Sequence, residues 1–138
     1  MKDESLAEGD DGQLIDYPTL EKVTALDGPE SAGPGLLEEY LEIFFRTAPQ
    51  RFENMRRAIV GEDRKSMYRE AHTLKTNCAY VGAKRLQALC TELQDRSEVT
   101  SMAELGLLID RVEAEYSKVK AALQNAVDLL AGRRKKSG

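Results

Sequence analysis

Three features of this sequence predict an all-α protein, an antiparallel up-down four-helix bundle with an additional short N-terminal helix. Helix-favouring Ala, Leu, Glu, Lys and Arg dominate, aromatic residues make up only 6% of the chain and tryptophan is absent, which weights helix over sheet. Apolar residues recur every three or four positions along several long stretches, the repeat of a helix with one buried face. Between those stretches stand brief connections built on Gly, Asp or Ser, so consecutive helices fold back on one another. The 138 residues suit one domain with room for a core that needs neither metal nor disulfide. There is no internal repeat and no strand alternation.

Residues 1–13 are rich in Gly and Asp and lack periodicity. They carry too little apolar surface to offset the entropy of ordering, so a disordered acidic tail is expected. Asp16 is placed to cap a short first helix whose opening turn tolerates Pro18, with Leu20, Val23 and Leu26 as its inner face. The segment 27–35, DGPESAGPG, then breaks the chain. A second helix begins near Leu36 and carries Leu37, Leu41, Phe44, Ala48, Met55 and Ile59 at helical spacing, widened by Tyr40, Phe45 and Phe52. Pro49 inside it removes a backbone donor and predicts a kink. Gly61 ends this run, and Asp63 is placed to cap the next helix.

That third long stretch has Met67, Ala71, Leu74, Cys78 and Val81 as its inward stripe. After Gly82, a helix over 83–96 turns Leu86, Leu89, Cys90 and Leu93 inward. Ser101 and Glu104 have the spacing of a capping box. They open a last helix striped by Leu105, Leu108, Val112, Tyr116, Val119, Leu123, Val127 and Leu130. The bundle domain is thus expected over 14–131, and residues 132–138, with Arg133, Arg134, Lys135 and Lys136, read as a basic tail.

Several function classes fall away on composition. A net charge of −4 argues against a general nucleic-acid binder, and nothing approaches the ~20 apolar residues of a membrane span. Acidic residues follow Met1-Lys2 in place of a basic stretch and an apolar run, and the chain has two cysteines, which points to a reducing, cytoplasmic setting. Cys78 and Cys90 both fall on inward stripes and read as small core residues. With a single histidine and no CxxC pair, no metal site is expected, and no Gly-rich loop carries the Lys or Ser that nucleotide binding needs. A Cys-His nucleophile pair is disfavoured because neither cysteine shares the face of His72. Glu38, Glu39 and Glu42 look like a solvated face.

What remains is that one histidine. Each residue turns a helix by roughly 100°, which sets His72 about 140° from the centre of the apolar stripe, beside Lys65, Tyr68, Arg69, Lys75, Thr76 and Ala79. The ring is therefore expected in solvent on a basic surface. Imidazoles titrate near ~6.5, so such a ring offers a neutral, nucleophilic nitrogen at neutral pH. Lys75 one turn on, with Lys65 and Arg69 a turn or two back, favours an incoming dianionic phosphoryl group, whose transfer is largely positioning and charge stabilisation. The small Ala79 leaves room for a partner's surface. Taken alone, these cations could equally be an ordinary solvated helix face.

The sequence His72-Thr73-Leu74-Lys75, followed by Gly82-Ala83, Leu86, Cys90 and Leu93, resembles the histidine-containing phosphotransfer domains of two-component phosphorelays. Upstream, LIDYPTLEKVTAL and EEYLEIFFRTAPQRFENMRRAI, with its internal proline, are similar too, so the resemblance covers about 14–123. It implies a four-helix bundle that displays His72 to receiver domains. His72 would accept a phosphoryl group from a receiver aspartate and pass it to another receiver, with Lys75 as charge partner. The resemblance implies no cofactor on this chain, since Mg²⁺ and most of the catalytic machinery belong to the receiver. Gly82 would allow close packing at its turn, and Gln94 falls where some members place a side chain that hydrogen-bonds the histidine. Thr76 departs from the family, which usually has glycine or another small residue there.

The leading expectation is a phosphoryl carrier without kinase activity, monomeric, serving receivers of a hybrid histidine kinase and of a response regulator. The competing reading is a helical docking module that binds a receiver or kinase by contact alone. An enzyme built on Cys90 or a carboxylate pair has no supporting constellation.

Overall fold

The computed structural model describes residues 14–26 and 35–137, with side chains to 129. The expected acidic tail at 1–13 and most of the DGPESAGPG break lie outside the described residues. The described residues form five helices and no strand: α1 Tyr17–Ala25, α2 Leu36–Val60, α3 Arg64–Tyr80, α4 Lys84–Arg96 and α5 Met102–Ser137. Helix α3 packs on α2 and α4, α5 closes the ring against both of those, and α1 lies on α2. Connections of a few residues force antiparallel neighbours, so the architecture is the expected up-down bundle with one short extra helix.

Three of the five helices start at a side-chain cap. Asp16 accepts from the Thr19 amide at 3.4 Å and from its hydroxyl at 2.8 Å, and Pro18 sits in the first turn, where its missing N–H is not needed. Asp63 does the same for α3, accepting from the Ser66 amide at 3.1 Å and its hydroxyl at 2.6 Å. Those two bonds, the hydroxyl's first, hold the Asp63 carboxyl below its ordinary pKa. Ser101 accepts from the Glu104 amide at 3.2 Å, opening α5.

The core runs along all four long helices: Leu37, Phe44, Met55, Met67, Leu74, Leu86, Leu93, Leu105, Ile109 and Leu123 are the largest sealed side chains of the bundle, joined by Ile15 and Leu20 from the N-terminal end. Tyr116 meets Phe44 and Phe52 edge-on at centroid distances of 5.7 and 5.4 Å. Both cysteines are buried, and the hydrogen bond of Cys78 to Cys90, together with burial, pushes the Cys78 thiol far up. An inert core pair is what that environment produces.

Two local expectations change, at Leu26 and at the end of α5. Leu26 is 73% exposed, because α1 ends at Ala25 and the chain has already left the core. Pro49 lies inside α2, which runs as one helix from Leu36 to Val60; the proline itself forfeits one backbone bond there. Gly61 ends α2 as expected, and the left-handed residue of the turn that follows is Glu62 with φ 52°. Helix α5 continues through Gly132 to Ser137, so the basic segment follows on helical backbone instead of leaving as a separate tail. One glycine costs about 1 kcal/mol in a helix, and the Arg and Lys that follow are good helix formers.

Candidate functional site

The 17 residues of α3 divide sharply between two faces. Met67, Ala71, Leu74 and Cys78 are wholly buried, while Lys65, Tyr68, Arg69, His72, Thr76 and Ala79 are exposed and Lys75 is half-buried. The inward anchors leave α3 no freedom to rotate, and the spacing then delivers His72 to solvent.

Its ring is held from a second helix. His72 Nδ1 lies 3.3 Å from Gln94 Oε1 on α4, and Gln94 Nε2 donates to the Tyr68 hydroxyl at 3.1 Å. The Tyr68 and His72 rings lie parallel, 2° apart in plane, with centroids separated by 6.3 Å. An amide oxygen only accepts, so the proton of a neutral ring sits on Nδ1 and the lone pair is left on Nε2. The site thus presents a nucleophilic nitrogen whose tautomer and orientation are both set by a neighbour.

The other expected residues have distinct places. Lys75 stands one turn beyond His72, where side chains three apart are about 5–6 Å apart at Cβ, and it makes no ion pair among the described residues. Arg69 turns toward the start of α3, donating to the Ser66 hydroxyl at 3.3 Å, and Lys65 is exposed on the same face. The Thr76 hydroxyl donates to the His72 carbonyl at 3.1 Å, so its one proton is used by the backbone and its oxygen can only accept. Ala79 extends the small, exposed surface one turn further.

Gly82 is not brought to the ring. It is buried at the turn into α4 with φ +69°, and a Cβ there would meet the Asp16 carbonyl oxygen at 3.0 Å. Its own carbonyl accepts from the Asp16 amide at 2.7 Å, so Gly82 fastens α1 to the end of α3.

Two contributors were not visible in the sequence. Arg64, the first residue of α3, donates to the carbonyls of Ser97 and Thr100 at 2.9 and 2.8 Å. Ser97, fully buried, donates its hydroxyl to the Gln94 carbonyl at 2.8 Å. Together they tie the start of the His72 helix to the end of the helix that bears Gln94. No spacing rule links residue 64 with 97; only the Ser at the helix end gave a hint.

The geometry is that of a surface, not a cleft. A groove of about 470 Å³ between α4 and α5 and another of about 350 Å³ between α2 and α5 are both lined by residues other than His72 and its neighbours. Among the described residues no group of three His, Cys, Asp or Glu could hold a metal ion, and no helix is long and apolar enough to cross a membrane.

Comparison with known proteins places the chain in a family. Histidine-containing phosphotransfer protein 2 of Arabidopsis thaliana is 28% identical over 103 residues, 72% of this chain and 66% of that protein. The fold is shared with a histidine-containing phosphotransfer protein of Medicago truncatula, at TM-score 0.75 and 24% identity over 99% of this chain and 91% of the other. It is shared also with the histidine-containing phosphotransfer domain of ArcB from Escherichia coli, at TM-score 0.70 and 24% identity over 85% of this chain and 95% of the other. The Hpt domain profile matches residues 39–130, and the chain therefore belongs to the Hpt domain family, a family of phosphorelay intermediates.

Proposed function

We propose that His72 is the phosphoacceptor, taking a phosphoryl group on Nε2 from the aspartyl phosphate of one receiver domain and passing it to the aspartate of another. The observation that carries this is the exposed ring with Nδ1 engaged by Gln94 and Nε2 left open. In the forward step Nε2 attacks phosphorus, the bond to the aspartate oxygen breaks with its electron pair returning to the carboxylate, and the Nδ1 proton is later lost to water. The reverse sequence loads the next receiver.

A donor that is itself a folded protein suits a site lacking a cleft, because the receiver supplies the missing walls, the Mg²⁺ and most of the catalytic groups. Lys75 offsets part of the roughly −1.5 to −2 charge that phosphorylation brings. Lys65, Arg69, Tyr68, Thr76 and Ala79 form the rest of the docking face, with Thr76 adding a methyl group beside the ring and no free donor. The chain acts as a monomeric, cytoplasmic carrier with no kinase activity, between the receiver of a hybrid histidine kinase and that of a response regulator.

The test is incubation with a labelled phospho-receiver and Mg²⁺. Wild type should acquire acid-labile, base-stable label, and His72→Gln none. Label persisting in His72→Gln would place the phosphoryl group on another residue, and binding of the receiver with no label on wild type would favour the docking-module reading instead.

A further inference from the structure

Gln94 meets a different ring before and after the reaction. In the free chain Nδ1 carries a proton and needs an acceptor, which Gln94 Oε1 supplies at 3.3 Å. Once Nε2 is bonded to phosphorus and the Nδ1 proton has left, Nδ1 holds a lone pair and needs a donor. A carboxylate in place of Gln94 could serve only the first state, and an ammonium only the second. A primary amide serves both by turning over, provided that whatever holds its other end tolerates the exchange.

Tyr68 is such a group. Its hydroxyl now accepts from Gln94 Nε2 at 3.1 Å. A phenol also donates, so with the amide reversed the same hydroxyl can donate to Oε1. Tyr68 is one turn before His72 with its ring parallel to the imidazole, and it is 40% exposed, so its hydroxyl proton can reorient through solvent. The backbone beneath Gln94 stays still during this exchange, because Ser97 and Arg64 hold its carbonyl and the following loop.

Resting on the reading of His72 as phosphoacceptor, we propose that Tyr68 and Gln94 form a reversible hydrogen-bond relay. Gln94 accepts from Nδ1 of the free ring and, with its amide turned over, donates to Nδ1 of the phosphorylated ring, while the Tyr68 hydroxyl completes the amide in both states. Both are positioning residues. With the Tyr68 hydroxyl donating to Oε1, the amide is held in its donating orientation and stabilises the unprotonated phosphorylated ring, where a carboxylate would hold the proton on Nδ1; since an N-phosphoimidazole loses its phosphoryl group to water far faster when protonated, this lengthens the life of the carried phosphoryl group.

The experiment uses the full chain phosphorylated with phosphoramidate and no receiver, so that a failure of receiver exchange and a failure of the relay register separately. His72 is the only histidine, which makes its ring nitrogens unambiguous by ¹⁵N NMR. At alkaline pH, Nδ1 should change from proton-bearing to lone-pair-bearing on phosphorylation, and the Gln94 side-chain amide resonances should move with it. At neutral pH, Gln94→Glu should shorten the phosphohistidine half-life by about tenfold, since an adjacent carboxylate holds the proton on Nδ1 and raises a ring's pKa by about one unit or more. Tyr68→Phe, which keeps the ring and loses only the hydroxyl, should shorten it by about two- to fivefold, the weight of one exposed hydrogen bond. Neither change should alter the melting temperature appreciably. Gln94 amide resonances unmoved by phosphorylation, or a Tyr68→Phe half-life equal to wild type, would overturn the relay.

Discussion

The inward and outward faces of α3 obey different rules within the same few turns. Inward, Met67, Ala71, Leu74 and Cys78 have no exposed surface, and each is fixed by neighbours on every side. Outward, His72 is fixed by one hydrogen bond to Gln94 and by the parallel ring of Tyr68. The core face determines where the histidine is; the polar face determines which of its nitrogens is available. Stability and chemistry are therefore separable along this helix, and substitutions should move one and leave the other.

The largest stability effect should come from the inward face. Leu74→Ala removes a fully buried side chain and should cost about 2–5 kcal/mol, read as a fall in denaturation midpoint. Phosphoryl acceptance per folded molecule should stay close to wild type, and a specific loss of acceptance at full stability would break the separation. Gly82→Ala should cost about 1–3 kcal/mol by forcing a side chain into the left-handed region, on top of the close approach to the Asp16 carbonyl. Its signature is loosening of α1, seen as faster amide exchange at Asp16 and Leu20, with the His72 ring unaffected.

On the outward face the pattern reverses. Lys75→Ala should slow phosphoryl acceptance about three- to tenfold, the scale of one partly screened charge, with a melting temperature within a degree or two of wild type. An equal loss of stability would mean that Lys75 belongs to the packing. The smallest effect concerns the cap beneath this face. The Asp63 carboxyl is held below its ordinary pKa by Ser66, so its contribution is present above the unfolded-state carboxylate pKa and disappears as pH falls through the folded value. Asp63→Asn should therefore flatten the acid side of the stability profile and leave the neutral-pH transfer rate unchanged.

Periodicity made the bundle legible, because a stripe such as Met67, Ala71, Leu74 and Cys78 has only one way to be buried. The caps at Asp16, Asp63 and Ser101 were readable for a similar reason: each is a local bargain between a side chain and an amide three residues on. The exposure of His72 followed from the same stripe by subtraction. Contacts between distant residues were not readable. Arg64 reaches carbonyls more than thirty residues away, and the Tyr68 hydroxyl meets Gln94 across two helices; neither leaves a periodic trace. Gly82 could be read as a turn, but its need for an absent side chain lies in the Asp16 carbonyl, which arrives from the far side of α2 in sequence. The length of α5 was misjudged because a single Gly132 weighs less than the helix formers around it.

The account stands or falls on which atom of the ring becomes bonded to phosphorus. Phosphorylating the ¹⁵N-labelled chain with its receiver and recording ³¹P–¹⁵N couplings on the only histidine answers this directly. Coupling at Nε2, with Nδ1 still hydrogen-bonded toward Gln94, is the predicted result; coupling at Nδ1, or no coupling at the ring at all, would contradict it.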